Sequence, residues 1–151
     1  ITLTATPTYT DFGEDVDNCP KNTMELKRQE DVEVKCAGTF VTVTTTSAKS
    51  LMAAADIDST DTTKVVPRRD LSSADFSDIW IVGDYSDKNG ANNGGFIAIR
   101  MMNALSTGGF QLKTADKGKG QMAFEYTAHY SISKQDIVPY ELYIKAGTAE
   151  T

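Results

Sequence analysis

His129 is the only histidine in the 151-residue chain, so any Ser-His-Asp, Cys-His or multi-histidine metal site must be built around it. It falls between aromatic residues in a strand-like run, where an exposed histidine on the polar face is the expected role. Cys19 and Cys36 lie far apart with no second Cys or His pair, so a structural zinc site lacks its ligands. Asp56, Asp58 and Asp61 have the spacing of a calcium loop but not its turn glycine or its closing glutamate. Gly118, Lys119 and Gly120 lack the longer glycine-rich spacing that cradles phosphate, and read as a hairpin turn. Carboxylate pairs can be drawn at will from 21 acidic residues, so no pair points to glycoside chemistry. No catalytic constellation stands out. Neither an enzyme nor a cofactor is expected.

The composition fits a packed globular domain: 40% hydrophobic, 24% charged, and long enough to bury a core. A net charge of −6 repels phosphate and disfavours a generic nucleic-acid binder. No run approaches the ~20 apolar residues of a membrane helix, and no signal peptide is seen. Two cysteines in a chain of this size argue for free thiols over a disulfide-built scaffold.

The elements that must position any site are mostly strands. Residues 1–6 alternate apolar and polar, and Pro7 is expected to limit that strand. Residues 11–22 are acidic and aperiodic, an exposed connection. Residues 31–44 give the strongest early strand, with Val32, Val34 and Cys36 on one face and Glu33 and Lys35 on the other. Gly38 breaks this phase before Val41 and Val43, so either a bulge re-aims the chain or both faces are buried there. Thr46 or Ser47 is placed to cap a helix over 48–57, whose Ala48, Leu51, Met52 and Ala55 share one face. A polar loop over 56–63 precedes the segment 64–70. Strands are then predicted over 78–85, 95–102, 110–113, 121–130 and 140–144. The cleanest alternation puts Met122, Phe124, Tyr126, Ala128 and Tyr130 on one face. No internal repeat or linker divides residues 1–151, which read as one domain. The fold class is mainly β with one helix: two packed antiparallel sheets in a sandwich or barrel, flanked by the helix. Trp80, Ile97, Ile99, Met101 and Met102 imply a second buried surface, within a sandwich core or against a partner subunit.

Several ordered segments carry a resemblance: Cys36-Ala-Gly-Thr-Phe-Val-Thr-Val-Thr-Thr, Pro67-Arg-Arg-Asp-Leu, Asp75-Phe-Ser-Asp-Ile-Trp-Ile-Val-Gly-Asp-Tyr-Ser and Gly94-Gly-Phe-Ile-Ala-Ile-Arg. Asn103-Ala-Leu-Ser-Thr-Gly-Gly-Phe, Gly118-Lys-Gly-Gln-Met-Ala-Phe-Glu-Tyr-Thr-Ala-His-Tyr and Pro139-Tyr-Glu-Leu-Tyr-Ile-Lys-Ala-Gly continue it in the same order. Together, over about residues 32–147, they resemble the major tail proteins of long-tailed, non-contractile bacteriophages (siphophages).

The resemblance implies a tail-tube subunit of the virion. Such subunits form hexameric rings in the host cytoplasm, stacked around a tape-measure protein and bounded by tail terminator and distal tail proteins. Strands from every subunit would close an inner barrel that conducts double-stranded DNA without binding sequence, and no membrane is involved. Trp80, Phe96 and Ile97 are then expected at subunit interfaces, with Arg68, Arg69 and Asp70 in intersubunit ion pairs. The loop over 86–95, with Asp87, Lys88, Asn89, Gly90, Asn92 and Asn93, is expected to project between rings or subunits. The family's additional N-terminal segment is expected to be missing or disordered here. The tube of a phage-tail-like bacteriocin shares this architecture. A monomeric β-sandwich binding module, with Trp80 and tyrosines as a ligand platform, is the rival from a different class.

Overall fold

β6 (Phe96–Ser106) is the strand on which the architecture turns. The computed structural model describes residues 1–42, 44–85, 94–114, 116–118 and 120–148. Its other strands are β1 (Thr2–Asp11), β2 (Lys27–Phe40), β3 (Ala55–Ile57), β4 (Val65–Pro67), β5 (Ser77–Asp84), β7 (Gln111–Lys113), β8 (Gln121–Thr127) and β9 (Tyr140–Lys145). The one α-helix, α1, spans Thr45–Leu51. Seven strands form one antiparallel sheet along the path β1-β2-β8-β6-β5, with β7 on β8 and β9 on β6; β3 and β4 form the second sheet. The chain is thus mainly β with one helix and two sheets, as its pattern predicts.

The core sits between the two halves of the large sheet. Val32, Val34 and Cys36 of β2 and Phe124 and Tyr126 of β8 are buried there with Leu51 and Met101. The period-2 alternation of both strands is therefore burial of one face, as read from sequence. Gly38 has a packing reason. A Cβ there would stand 2.6 Å from Phe124 Cζ, and the Phe124 ring is held against Phe40 with centroids 4.4 Å apart.

Several boundaries differ from expectation. β1 does not stop at Pro7 but runs to Asp11, because it is an edge strand. Val32, opposite Pro7, donates its N–H to Tyr130 Oη on the far side, so no β1–β2 bond needed a proline N–H. β2 starts earlier and ends at Phe40, leaving Val41 exposed rather than in a re-aimed strand. α1 is shorter than the alanine run suggests. Thr44 caps it by accepting from Ser47 N–H at 3.2 Å, and Ala53 at φ +62° ends it. Ala55–Ile57 then pairs with Val65–Pro67 instead of continuing the helix or forming loop. The buried Ser106 hydroxyl donates to the Leu51 carbonyl at 2.9 Å, satisfying an acceptor at the helix end.

β6 runs beyond the expected end at residue 102. Up to Met101 it pairs with β5 and β9, at Ala104 with β5 again, and at Leu105 and Ser106 with β8. Between these stretches Asn103 takes φ +48°, and the β5 register slips from Ile79↔Met101 to Ser77↔Ala104. This is a bulge that turns one strand into both halves of the sheet. It is fastened on three sides. Asn103 N–H donates to Asp78 Oδ1 at 3.1 Å, and Asn103 Nδ2 donates to the His129 carbonyl at 3.2 Å. His129 Nδ1 lies 3.1 Å from the Asn103 carbonyl, which can only accept, so Nδ1 carries the proton and donates. His129 is therefore not an exposed strand residue: it lies past the end of β8, half-buried, with its ring edge-on to Phe76 at 5.3 Å.

Asn103→Gly should keep the fold, since glycine adopts positive φ freely, whereas Asn103→Val should cost about 1–3 kcal/mol through strain at a β-branched residue. Chemical denaturation of the three proteins checks this; equal midpoints for the valine variant and the natural chain would show that the corner is not under conformational constraint.

Candidate assembly surface

β5, β6 and β9 form a three-stranded ribbon whose side chains fall into rows. On the inner face the rows are Ile79–Met101–Tyr140, Ile81–Ile99–Leu142 and Gly83–Ile97–Ile144. Met101 is fully buried in the core, but toward the ribbon's far end cover is lost: Leu142 is 52% and Ile144 58% exposed. On the outer face the rows are Trp80–Arg100–Glu141, Val82–Ala98–Tyr143 and Asp84–Phe96–Lys145. The inner face is apolar, whereas on the outer face an uncharged middle row lies between two rows that carry charges. Among the described residues β5 and β9 pair with β6 alone, so both long edges are open.

The outer face is organised by side chains from all three strands. Trp80 and Tyr143 stack with centroids 5.6 Å apart and planes 28° from parallel, and Ala98 between their strands is left only 6% exposed. Its small side chain makes room for the two rings. Arg100 Cζ lies 5.8 Å from the Trp80 ring centre. Its guanidinium donates to Asp78 Oδ2 from Nε at 2.9 Å and Nη2 at 2.6 Å, and from Nη1 to Glu141 Oε2 at 3.4 Å. The Tyr143 hydroxyl donates to the same Glu141 oxygen at 2.6 Å. These bonds, then that from Asn103 N–H, hold the Asp78 carboxyl below the usual carboxylate range. Asp78 pushes Arg100 up, and Glu141 does the same to Tyr143.

Beneath the inner side of the β5 edge lies a cleft of about 540 Å³. Residues Ile79, Trp80, Ile81 and Val82 along the β5 edge form one wall, Cys36, Phe124 and Tyr126 the floor, and Ser47 and Ser50 of α1 the far rim. None of its lining side chains is charged. Burial pushes the Cys36 thiol up, away from reactivity; both cysteines are free.

The residues singled out from sequence do not all meet. Trp80 and Phe96 share the outer face, but Ile97 lies on the inner one, and Met101 belongs to the core; they are not one surface. Arg68 is engaged within its own chain: Nε lies 2.6 Å from Asp56 Oδ2, Nη1 donates to the Asp70 carbonyl at 3.1 Å, and Nη2 donates to Asp75. Asp75 is held low, first by Ser72 N–H and then by Arg68. Arg69 is exposed and has no ion-pair partner among the described residues. Asp87, Lys88, Asn89, Gly90, Asn92 and Asn93 lie outside the described residues. Sequence reasoning missed Arg100, Glu141, Leu142, Tyr143 and Ile144. The signal was present in Tyr140–Lys145, where adjacent apolar residues at 142, 143 and 144 break the alternation of a half-buried strand. Among the described residues no group of His, Cys, Asp or Glu is placed to hold a metal ion, and no helix is long and apolar enough to cross a membrane.

A carboxylate held low contributes stability above its unfolded pKa and loses it as pH falls through the folded one, so Asp78 should act above ~pH 4 and fade below. Asp78→Asn should therefore be less stable than the natural chain at pH 7 and converge with it in acid, by urea midpoints at several pH values. A gap that stays constant would exclude the Asp78 charge as its source. No protein-family model, curated protein or solved structure matches the chain.

Proposed function

We propose that the chain is a non-enzymatic structural subunit of a phage tail tube, assembling into hexameric rings stacked around a tape-measure protein to form the channel for genome ejection. The observation that carries this reading is the β5-β6-β9 ribbon, apolar on its inner face, with exposed Trp80 and Tyr143 on its outer face, and with neither long edge paired among the described residues. A lone subunit with such a ribbon risks open-ended association, because unpaired backbone edges recruit other strands. Cyclic repetition removes the edges by closing a barrel, and the outer or inner face is covered at the same time. The net charge of −6 suits a conduit through which phosphate slides without adhering. Tail terminator and distal tail proteins would cap such a tube at its ends.

One observation favours a second reading, a monomeric binding module: the exposed Trp80–Tyr143 pair could offer an aromatic platform to a saccharide. Those rings spend facing surface on each other, which weakens it.

Electron microscopy with light-scattering mass across a concentration series separates the two. Hollow rings or tubes in multiples of six chains are expected. Trp80→Glu should abolish them while leaving the circular dichroism of the fold intact, because Trp80 is 53% exposed and outside the core. Normal tubes from that variant would remove Trp80 from the interface. A strict monomer that binds saccharide would overturn the tube reading.

A further inference from the structure

We propose that β9 of a neighbouring copy lies parallel along the β5 edge, which is unpaired among the described residues, and sends Leu142 and Ile144 into the cleft of about 540 Å³ beneath it. This rests on the ring reading above and names its junction.

Direction comes first. β5 and β9 each run antiparallel to β6, so they run parallel to each other. Rotation about a ring axis preserves strand direction along that axis, so the junction of one copy's β5 with the next copy's β9 must also be parallel. It is heterologous, joining two different edges, which is what lets a ring close.

The side chains agree with this pairing. Leu142 and Ile144 lie on the ribbon's inner face with Ile79 and Ile81, two of the four β5 residues that line the cleft. A neighbour's β9 in that position covers a cleft lined by uncharged side chains with Leu142 and Ile144 and removes its own exposed apolar surface from water. On the outer face Asp84 and Lys145 occupy the same row as Phe96, so copies joined level place opposite charges side by side. A two-fold pairing of β5 with β5 centred on Ile81 would instead set Asp78 against Asp84, like charge against like.

Disulfide trapping tests the junction. Within one chain Ile81 and Leu142 flank Ile99, two strand spacings or about 9.6 Å apart, beyond the ~4.4–6.8 Å between Cα atoms that a disulfide spans. A bond between cysteines at these positions must therefore join two chains. In a Cys19→Ser, Cys36→Ala background that still forms tubes, Ile81→Cys with Leu142→Cys, and separately Asp84→Cys with Lys145→Cys, should give a covalent ladder up to the hexamer on oxidation with diamide. The single-cysteine chains should give none. In the otherwise natural chain, Leu142→Glu should leave a folded monomer. Tubes that form without either crosslink, or that survive Leu142→Glu, would overturn this junction and leave the tube reading standing. Dimers from the single-cysteine chains would overturn it in favour of two-fold edge pairing. A natural chain that forms no rings would sink the reading and the junction together.

Discussion

The left-handed backbone of Asn103 is the constraint on which the rest of the structure depends. A β-strand of uniform pleat cannot leave one pair of neighbours and join another without an extra residue, and Asn103 supplies it in β6. Asparagine tolerates this conformation better than other side chains that could also reach across the corner. Its side-chain amide then does what glycine could not, binding the His129 carbonyl while the main chain binds Asp78 and the His129 ring. The lone histidine, the residue most suggestive of chemistry, is thus committed to holding a bend.

Asp78 links that bend to the surface. One of its oxygens accepts from Asn103 N–H and the other from the Arg100 guanidinium, which in turn reaches Glu141. The corner and the outer face of the ribbon are therefore one hydrogen-bonded unit spanning three strands. Individual exposed ion pairs contribute only about 0–1 kcal/mol, so the unit matters less for global stability than for fixing where Trp80 and Tyr143 stand. A rigid ribbon loses little conformational freedom on association, which favours a fixed junction between copies over adaptive binding.

What could be read from sequence divides along the same line. Strands with one buried face, such as Val32–Val34–Cys36 and Phe124–Tyr126, announced themselves because burial imposes a period of two. The end of α1 did not, since the alanine run favours helix and Ala53 leaves it only to let Ala55 pair with Pro67. β1 passed through Pro7 because an edge strand has no use for that N–H, a fact of topology rather than of local propensity. Arg68 looked available for a neighbour, but three groups on both sides of it in the chain fold back to engage it: Asp56, the Asp70 carbonyl and Asp75. The ribbon was half legible. Trp80 and the isoleucines of β6 signalled surplus apolar surface, yet which face each one joins depends on a register that the bulge at Asn103 sets.

The sheet's edges are not treated alike, and the difference bears on what the ribbon is for. β1 carries Pro7, a residue that discourages another strand from pairing there. β5 and β9 have no proline, and their charges, Asp78, Asp84, Glu141 and Lys145, all point to the outer face where they leave the backbone edge unobstructed. Selection against unwanted pairing would be expected to act on every long edge of a monomer. A chain that places a proline on one edge and none on two others, which run in the same direction, fits the proposed repetition around an axis. That asymmetry favours the proposed tube subunit over a solitary binding module.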